Sequence, residues 1–108
     1  MQKPTDRLEK KNQKENLWVF ILSLLKSKER YPFEIRELIS GKFGFRVGNM
    51  TAYKVLYLLK TGGYVTEGRS EKSSGPQRKY YRITRKGVSE LEKAVAFYRK
   101  QIKNIEKA

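Results

Sequence analysis

The chain has 108 residues, with 25 Lys or Arg against 11 Asp or Glu, for a formal charge of +14 at pH 7. Without a single cysteine or histidine, it has no means of building disulfides, thiolate or imidazole zinc sites, or any triad that relies on a histidine base. A hydrophobic fraction of 38% supports one modest core, and the charge favours a polyanionic partner, nucleic acid before an anionic membrane surface.

Residues 1–16 are polar and carry both signs of charge, including Asp6, the sole aspartate. They read as a charged N-terminal arm or a solvated helix extension. The apolar run Leu17 to Leu25 is far short of the roughly 20 residues that cross a bilayer. Lys26 to Arg30 follow it where a signal peptide would carry small residues for cleavage, so a soluble, cytoplasmic protein is expected. A helix is expected over 17–28. It is apolar nearly all round, which calls for cover on several sides, and a second subunit is the simplest extra cover.

Pro32 suits the first turn of a second helix. Phe33, Ile35, Leu38, Ile39 and Phe43 form its expected inward stripe, and Gly41 and Gly44 mark its end. A third helix should run from an Asn49 N-cap to Thr61 and close at Gly62-Gly63. Ala52, Val55, Leu56 and Leu59 recur at core spacing. The opposite face carries Met50, Lys54, Tyr57 and Thr61, with Tyr53 on its flank, and no acid.

Tyr64–Glu67 and Lys79–Ile83 have strand composition, and the Gly- and Ser-rich stretch between them is a turn-rich loop with basic ends. Alternation places Tyr81 and Ile83 on one face. From Thr84 onward Val88, Leu91, Val95, Tyr98, Ile102 and Ile105 repeat at alternating gaps of three and four, the heptad stripe of a helix that pairs with another. The fold class expected is mainly α with a small antiparallel β-hairpin wing, within one domain. Residues 17–83 form a winged helix-turn-helix and 84–108 a dimerisation helix.

That order of elements has a physical use. A helix fits the major groove of B-form DNA and presents its N-terminal side chains to base edges. Here those are Asn49, Met50, Tyr53 and Lys54: Asn pairs with adenine, Lys donates to guanine, and Met meets the thymine methyl. Arg46, Lys54, Lys60, Arg69, Lys72, Arg78, Lys79 and Arg82 are opposed only by Glu67 and Glu71, a charge suited to phosphates. Each feature alone is equally the mark of a solvated surface; the combination on a strongly basic chain favours DNA. A winged-helix module for protein or RNA is the alternative, and nothing supports an enzyme.

Three stretches are similar to a known family. The first runs from Val47 through Thr51, Tyr53, Leu56, Leu59 and Gly62-Gly63 to Val65. The second is Gly75-Pro76, Arg78-Lys79, Tyr80-Tyr81 and Thr84 with Gly87. The third is Phe33-Glu34-Ile35. Together they resemble PadR-type transcriptional regulators of the short form with one C-terminal helix. Tyr31-Pro32 stands where that family usually has His-Gly, and Gly48-Asn49-Met50 where small residues usually open the recognition helix.

The resemblance implies a homodimeric, DNA-binding repressor, with Tyr53 on DNA and the C-terminal helix against the partner's first helix. The expected DNA-binding set is Arg46, Asn49, Met50, Thr51, Tyr53, Lys54, Tyr57, Arg69, Lys72, Arg78 and Lys79. The expected dimer interface is Leu17, Trp18, Ile21, Val88, Leu91, Val95, Tyr98, Ile102 and Ile105. Partners are double-stranded DNA and a second copy. Neither a metal nor a cofactor is expected. A small-molecule effector would meet Trp18, Phe97 and Tyr98, for which packing is the competing use.

Overall fold

Pro4 opens α1 (Pro4–Glu15), and the Asp6 carboxylate accepts from the Lys3 N–H at 3.3 Å, with its charge at the positive end of the helix dipole. The computed structural model describes residues 2–71 and 78–108. The N-terminal stretch is thus a helix with no buried residue. It breaks at Asn16, whose side-chain amide donates to Asn12 Oδ1 at 3.1 Å. Tyr98 donates to the same oxygen at 2.9 Å, which ties α1 to the far end of the chain.

Next come α2 (Leu17–Leu25), α3 (Pro32–Phe43) and α4 (Asn49–Thr61), followed by β1 (Val65–Glu71), β2 (Arg78–Ile83) and α5 (Arg85–Lys107). The core is built around α2. Its Ile21, Leu22 and Leu25 meet Ile35 and Ile39 of α3, Leu56 and Leu59 of α4, Val65 and Tyr81 of the hairpin, and Leu91 of α5. Each such side chain stabilises the fold by about 1.5–3 kcal/mol on full burial. The apolar girdle of α2 is therefore covered from within the chain, by α1, α3, α4, α5 and β2. Its composition is no argument for a second subunit.

The inward stripe of α3 holds Ile35, Ile39 and the partly buried Leu38, as expected, with Pro32 at its start. Pro32 takes the buried place assigned to Phe33, and Phe33 and Phe43 are exposed. Gly41 lies inside the helix, and Gly44, at φ 75°, ends it in the left-handed region that glycine adopts at least cost. Gly48, not Asn49, is the N-cap of α4, with φ −68° and ψ 152°; Asn49 is the first helical residue.

The strands pair antiparallel from Val65 opposite Ile83 to Glu71 opposite Arg78, with a bulge between Glu67 and Ser70. Arg30 adds one rung on the other edge of β2: Arg30 and Tyr81 exchange N–H···O bonds of 3.1 and 2.8 Å. The Arg30 side chain donates to Leu24 O at the end of α2 at 2.8 Å and pairs with Glu34 of α3 at 3.2 Å. Both faces of the hairpin are covered. Tyr81 points into the core, while Tyr80 packs edge-on against Tyr31 at 5.3 Å. Both tyrosines are therefore buried, although alternation assigned only one inward.

Thr84 caps α5. Its hydroxyl accepts from the Gly87 N–H at 3.1 Å and donates to Gly63 O at 2.6 Å. A Cβ on Gly87 would strike the Tyr64 carbonyl oxygen. The Thr-x-x-Gly pattern thus locks the start of α5 onto the turn that follows α4.

Candidate nucleic-acid interface

Burial of Ala52, Leu56 and Leu59 fixes the rotation of α4, and that rotation decides what the helix shows to solvent. Outward go Met50, Tyr53 and Tyr57, which are 85%, 49% and 66% exposed. Asn49, Lys54 and Thr61 are exposed with them, and Thr51 and Leu58 lie on the flank. No acid lies in the first turn and no side chain caps the helix, so its positive end faces outward with no internal anion to offset it. The preceding loop is held by Arg36, which donates to Val47 O at 3.0 Å, and Arg46 beside it is exposed. Among the described residues no hydrogen bond or ion pair engages the side chain of Arg46, Asn49 or Lys54.

The hairpin cations are arranged differently. Arg69 lies in β1, not in a loop; it pairs with Glu29 at 3.0 Å, and its guanidinium lies 4.2 Å over the Tyr80 ring. Arg78 lies 4.8 Å over the Tyr31 ring. On the other face, Lys60 of α4 donates to Glu67 at 3.0 Å, and Lys79 lies 3.8 Å from the same carboxylate oxygen. The hydrogen bond and charge of Lys60, then the charge of Lys79, hold the Glu67 carboxyl below the usual glutamate range. Glu67 in turn raises Lys60. Burial pushes the Tyr81 phenol upward, and the nearby Glu67 adds to the effect. Lys72 and the Gly75-Pro76-Gln77 turn lie outside the described residues.

The residues expected at a dimer interface fall into three groups. Leu17, Ile21 and Leu91 belong to the chain's own core, which leaves them no surface for a partner. Trp18, Val88 and Tyr98 are half-buried. Val95, Ile102 and Ile105 are exposed, the last two at 57% and 72%, where α5 runs past the rest of the fold. Trp18, Phe97 and Tyr98 do come together, with Glu90 and Lys93, around an open hollow of about 310 Å³. Trp18 also borders a larger hollow of about 390 Å³, behind α4, with Val55, Leu58 and Tyr64.

Four residues of this surface escaped the sequence reading as site residues: Glu29, Tyr31, Lys60 and Glu67. Lys60 and Glu67 were visible as charges, but their pairing across helix and strand leaves no mark in local spacing. Tyr31 and Glu29 precede α3, and only the bridge from Arg30 to Tyr81 brings them to the hairpin.

Residues 21–93 match the transcriptional regulator PadR-like family. An uncharacterised protein of Lysinibacillus sphaericus is 35% identical over 77 residues, 69% of this chain and 71% of its own length. A PadR-like transcription factor from Bacteroides fragilis has a similar structure: TM-score 0.78 and 26% identity, over 94% of this chain and 98% of that one. Bacillus subtilis PadR in complex with operator DNA shares the fold, with TM-score 0.68 and 24% identity over 74% of this chain and 47% of that one. The order of helices, the two-stranded wing and a match across most of its length agree, and the chain belongs to the PadR-like family of transcriptional regulators.

Proposed function

We propose that the chain binds double-stranded DNA as a homodimer and represses transcription from the site it occupies. The observation that carries this is the outer face of α4: exposed, acid-free, uncapped and oriented by the buried Ala52, Leu56 and Leu59. In this reading α4 enters the major groove, with Asn49, Met50, Tyr53 and Lys54 toward base edges. Thr51, Tyr57 and Arg46 flank the groove. Arg69, Lys72, Arg78 and Lys79 follow the phosphate backbone, which supplies most of the affinity. The solved complex of Bacillus subtilis PadR with operator DNA supports this choice of partner.

Val95, Ile102 and Ile105 support pairing with a second copy. They are apolar, on one stripe, and unused by the chain's own core. Trp18, Val88 and Tyr98 border that stripe. The hollow around Trp18, Phe97 and Tyr98 would accommodate a small effector at such an interface. Among the described residues no helix is long and apolar enough to cross a membrane, and a regulator of this kind acts in the cytoplasm.

The test is Lys54→Ala, titrated against a selected operator and its scrambled counterpart at one salt concentration. Lys54 is exposed, so the melting temperature should hold. A lost base contact costs about 1–3 kcal/mol at the operator, with a smaller loss on the scrambled duplex. Equal losses on both would make Lys54 a phosphate contact. Absence of duplex binding by the parent chain would overturn the proposal.

A further inference from the structure

A chain with a formal charge of +14 has a general problem: phosphate attraction alone would hold it on any duplex. The hairpin carries a feature that acts against this. Lys60, at the last turn of α4, and Lys79, on β2, converge on one carboxylate, that of Glu67 on β1, at 3.0 and 3.8 Å. All three side chains are substantially exposed, so the cluster stands at the edge between α4 and the wing. Its oxygen occupies the place a phosphate oxygen would take between two lysines. Glu67 pairs with Tyr81 across the strands, and Tyr81 is buried, so the carboxylate is carried by a fixed part of the fold.

We propose that Glu67 is a built-in competitor of DNA phosphate: it occupies Lys60 and Lys79 and so restrains sequence-independent binding. The proposal rests on the DNA-binding reading above. Its chemistry is simple exchange, with one anion displaced by another. A surface ion pair adds little to folding, because both groups remain hydrated and screened. Its effect falls instead on a competing equilibrium. A lysine already paired with a carboxylate must give up that partner before it meets a phosphate, so it gains less from the exchange. Like any glutamate, Glu67 is charged at neutral pH, and the two lysines hold its carboxyl below the usual range. Glu29 stands in the same relation to Arg69 on the opposite face, at 3.0 Å.

The experiment measures binding of a random-sequence duplex over a series of salt concentrations. It compares the parent chain, Glu67→Gln, Glu92→Gln, the pair Lys60→Gln with Lys79→Gln, and that pair combined with Glu67→Gln. Glu92 is exposed on α5, and its substitution changes net charge equally without touching the wing. Glu67→Gln should melt with the parent chain, bind several-fold tighter, and steepen the slope of log K against log salt by about 0.9 for each lysine released. Glu92→Gln should give a smaller gain with no change of slope. In the background lacking both lysines, Glu67→Gln should have little effect.

Weaker binding by Glu67→Gln would mean that the carboxylate aims the lysines at phosphate, which overturns the proposal. A gain no greater than that of Glu92→Gln, or one that survives loss of both lysines, reduces Glu67 to general charge and overturns it as well. If the parent chain fails to bind the duplex at any salt concentration, the DNA-binding reading itself falls. Parent binding with an unresponsive Glu67→Gln rejects the competitor alone.

Discussion

Replacing Gly87 with alanine sets two effects against each other. Alanine is favoured over glycine within a helix by up to about 1 kcal/mol. Here, however, the added Cβ would overlap the Tyr64 carbonyl oxygen and come within 2.7 Å of Ile83 Cγ1. One obstacle is backbone and the other a stiff β-branched side chain, so neither swings away. The Tyr64 carbonyl also accepts the Thr84 N–H at 3.1 Å, so its retreat would loosen the cap of α5. Overpacking of this kind costs about 1–3 kcal/mol, and an overlap with backbone belongs at the upper end. The net loss is about 1–2 kcal/mol after the helical gain. At roughly 4–8 °C per kcal/mol for a domain of this size, G87A should melt roughly 4–16 °C lower.

Gly41 is the matched control. It is helical and exposed, and nothing lies within 4 Å of its added Cβ. G41A should therefore melt higher, by a gain of up to about 1 kcal/mol. Thermal unfolding followed by the helical circular dichroism signal, at one protein concentration, reads both. A G87A chain that melts at or above the parent would refute the close approach and the role assigned to the Thr84–Gly87 junction.

Ile102→Glu with Ile105→Glu should abolish self-association in sedimentation while helical content stays near that of the parent, because both side chains lie outside the chain's own core. A persisting dimer would place the interface elsewhere; Leu91→Glu, by contrast, should unfold the chain, since Leu91 is a core residue. Glu67 should titrate below the usual glutamate range in a carboxyl-resolved NMR titration. Because its pKa is lowered by folding, any stabilisation from its pairing is present at neutral pH and is lost as pH falls through that lowered value. Lys60→Gln should return Glu67 toward ordinary behaviour, and a Glu67 that already titrates normally would show that the pair does not form in solution.

The parts of the fold legible in the sequence were those governed by local periodicity. The α4 stripe of Ala52, Leu56 and Leu59, the glycines that close that helix, and the Thr84 start of α5 all follow from spacing and end signals. The errors arose where a neighbour in space decides the outcome. Phe33 looks like a core residue, but on the helix that buries Ile35 and Ile39 it is Pro32, three positions before Ile35, that falls on the inward face. Asn49 looks like a cap, yet the chain is still extended at Gly48 and already helical at Asn49. The heptad stripe of α5 is continuous in sequence but divided in space. Its first turns are consumed by α2, and only its later residues remain free. The exposed face of α4 was legible because core and surface alternate on one helix. The pairs Glu29–Arg69 and Lys60–Glu67 were not, because the partners lie on different elements.

The bulge between Glu67 and Ser70 settles which side of the wing Arg69 serves. Side chains along a regular strand alternate, so Arg69 would share the side of Glu67 and stand beside Lys79. One extra residue reverses that parity and delivers Arg69 to Tyr80 and Glu29 instead. The wing is consequently sensitive at this point to a change in length. One residue inserted between Lys79 and Tyr80 would restore regular pairing and leave the composition almost untouched, yet it would move a guanidinium from one wall of the hairpin to the other. Two natural wings with nearly identical composition could then present opposite charge patterns to the same stretch of backbone. In comparing members of this fold, the residue count between paired strand positions carries information that percent identity does not.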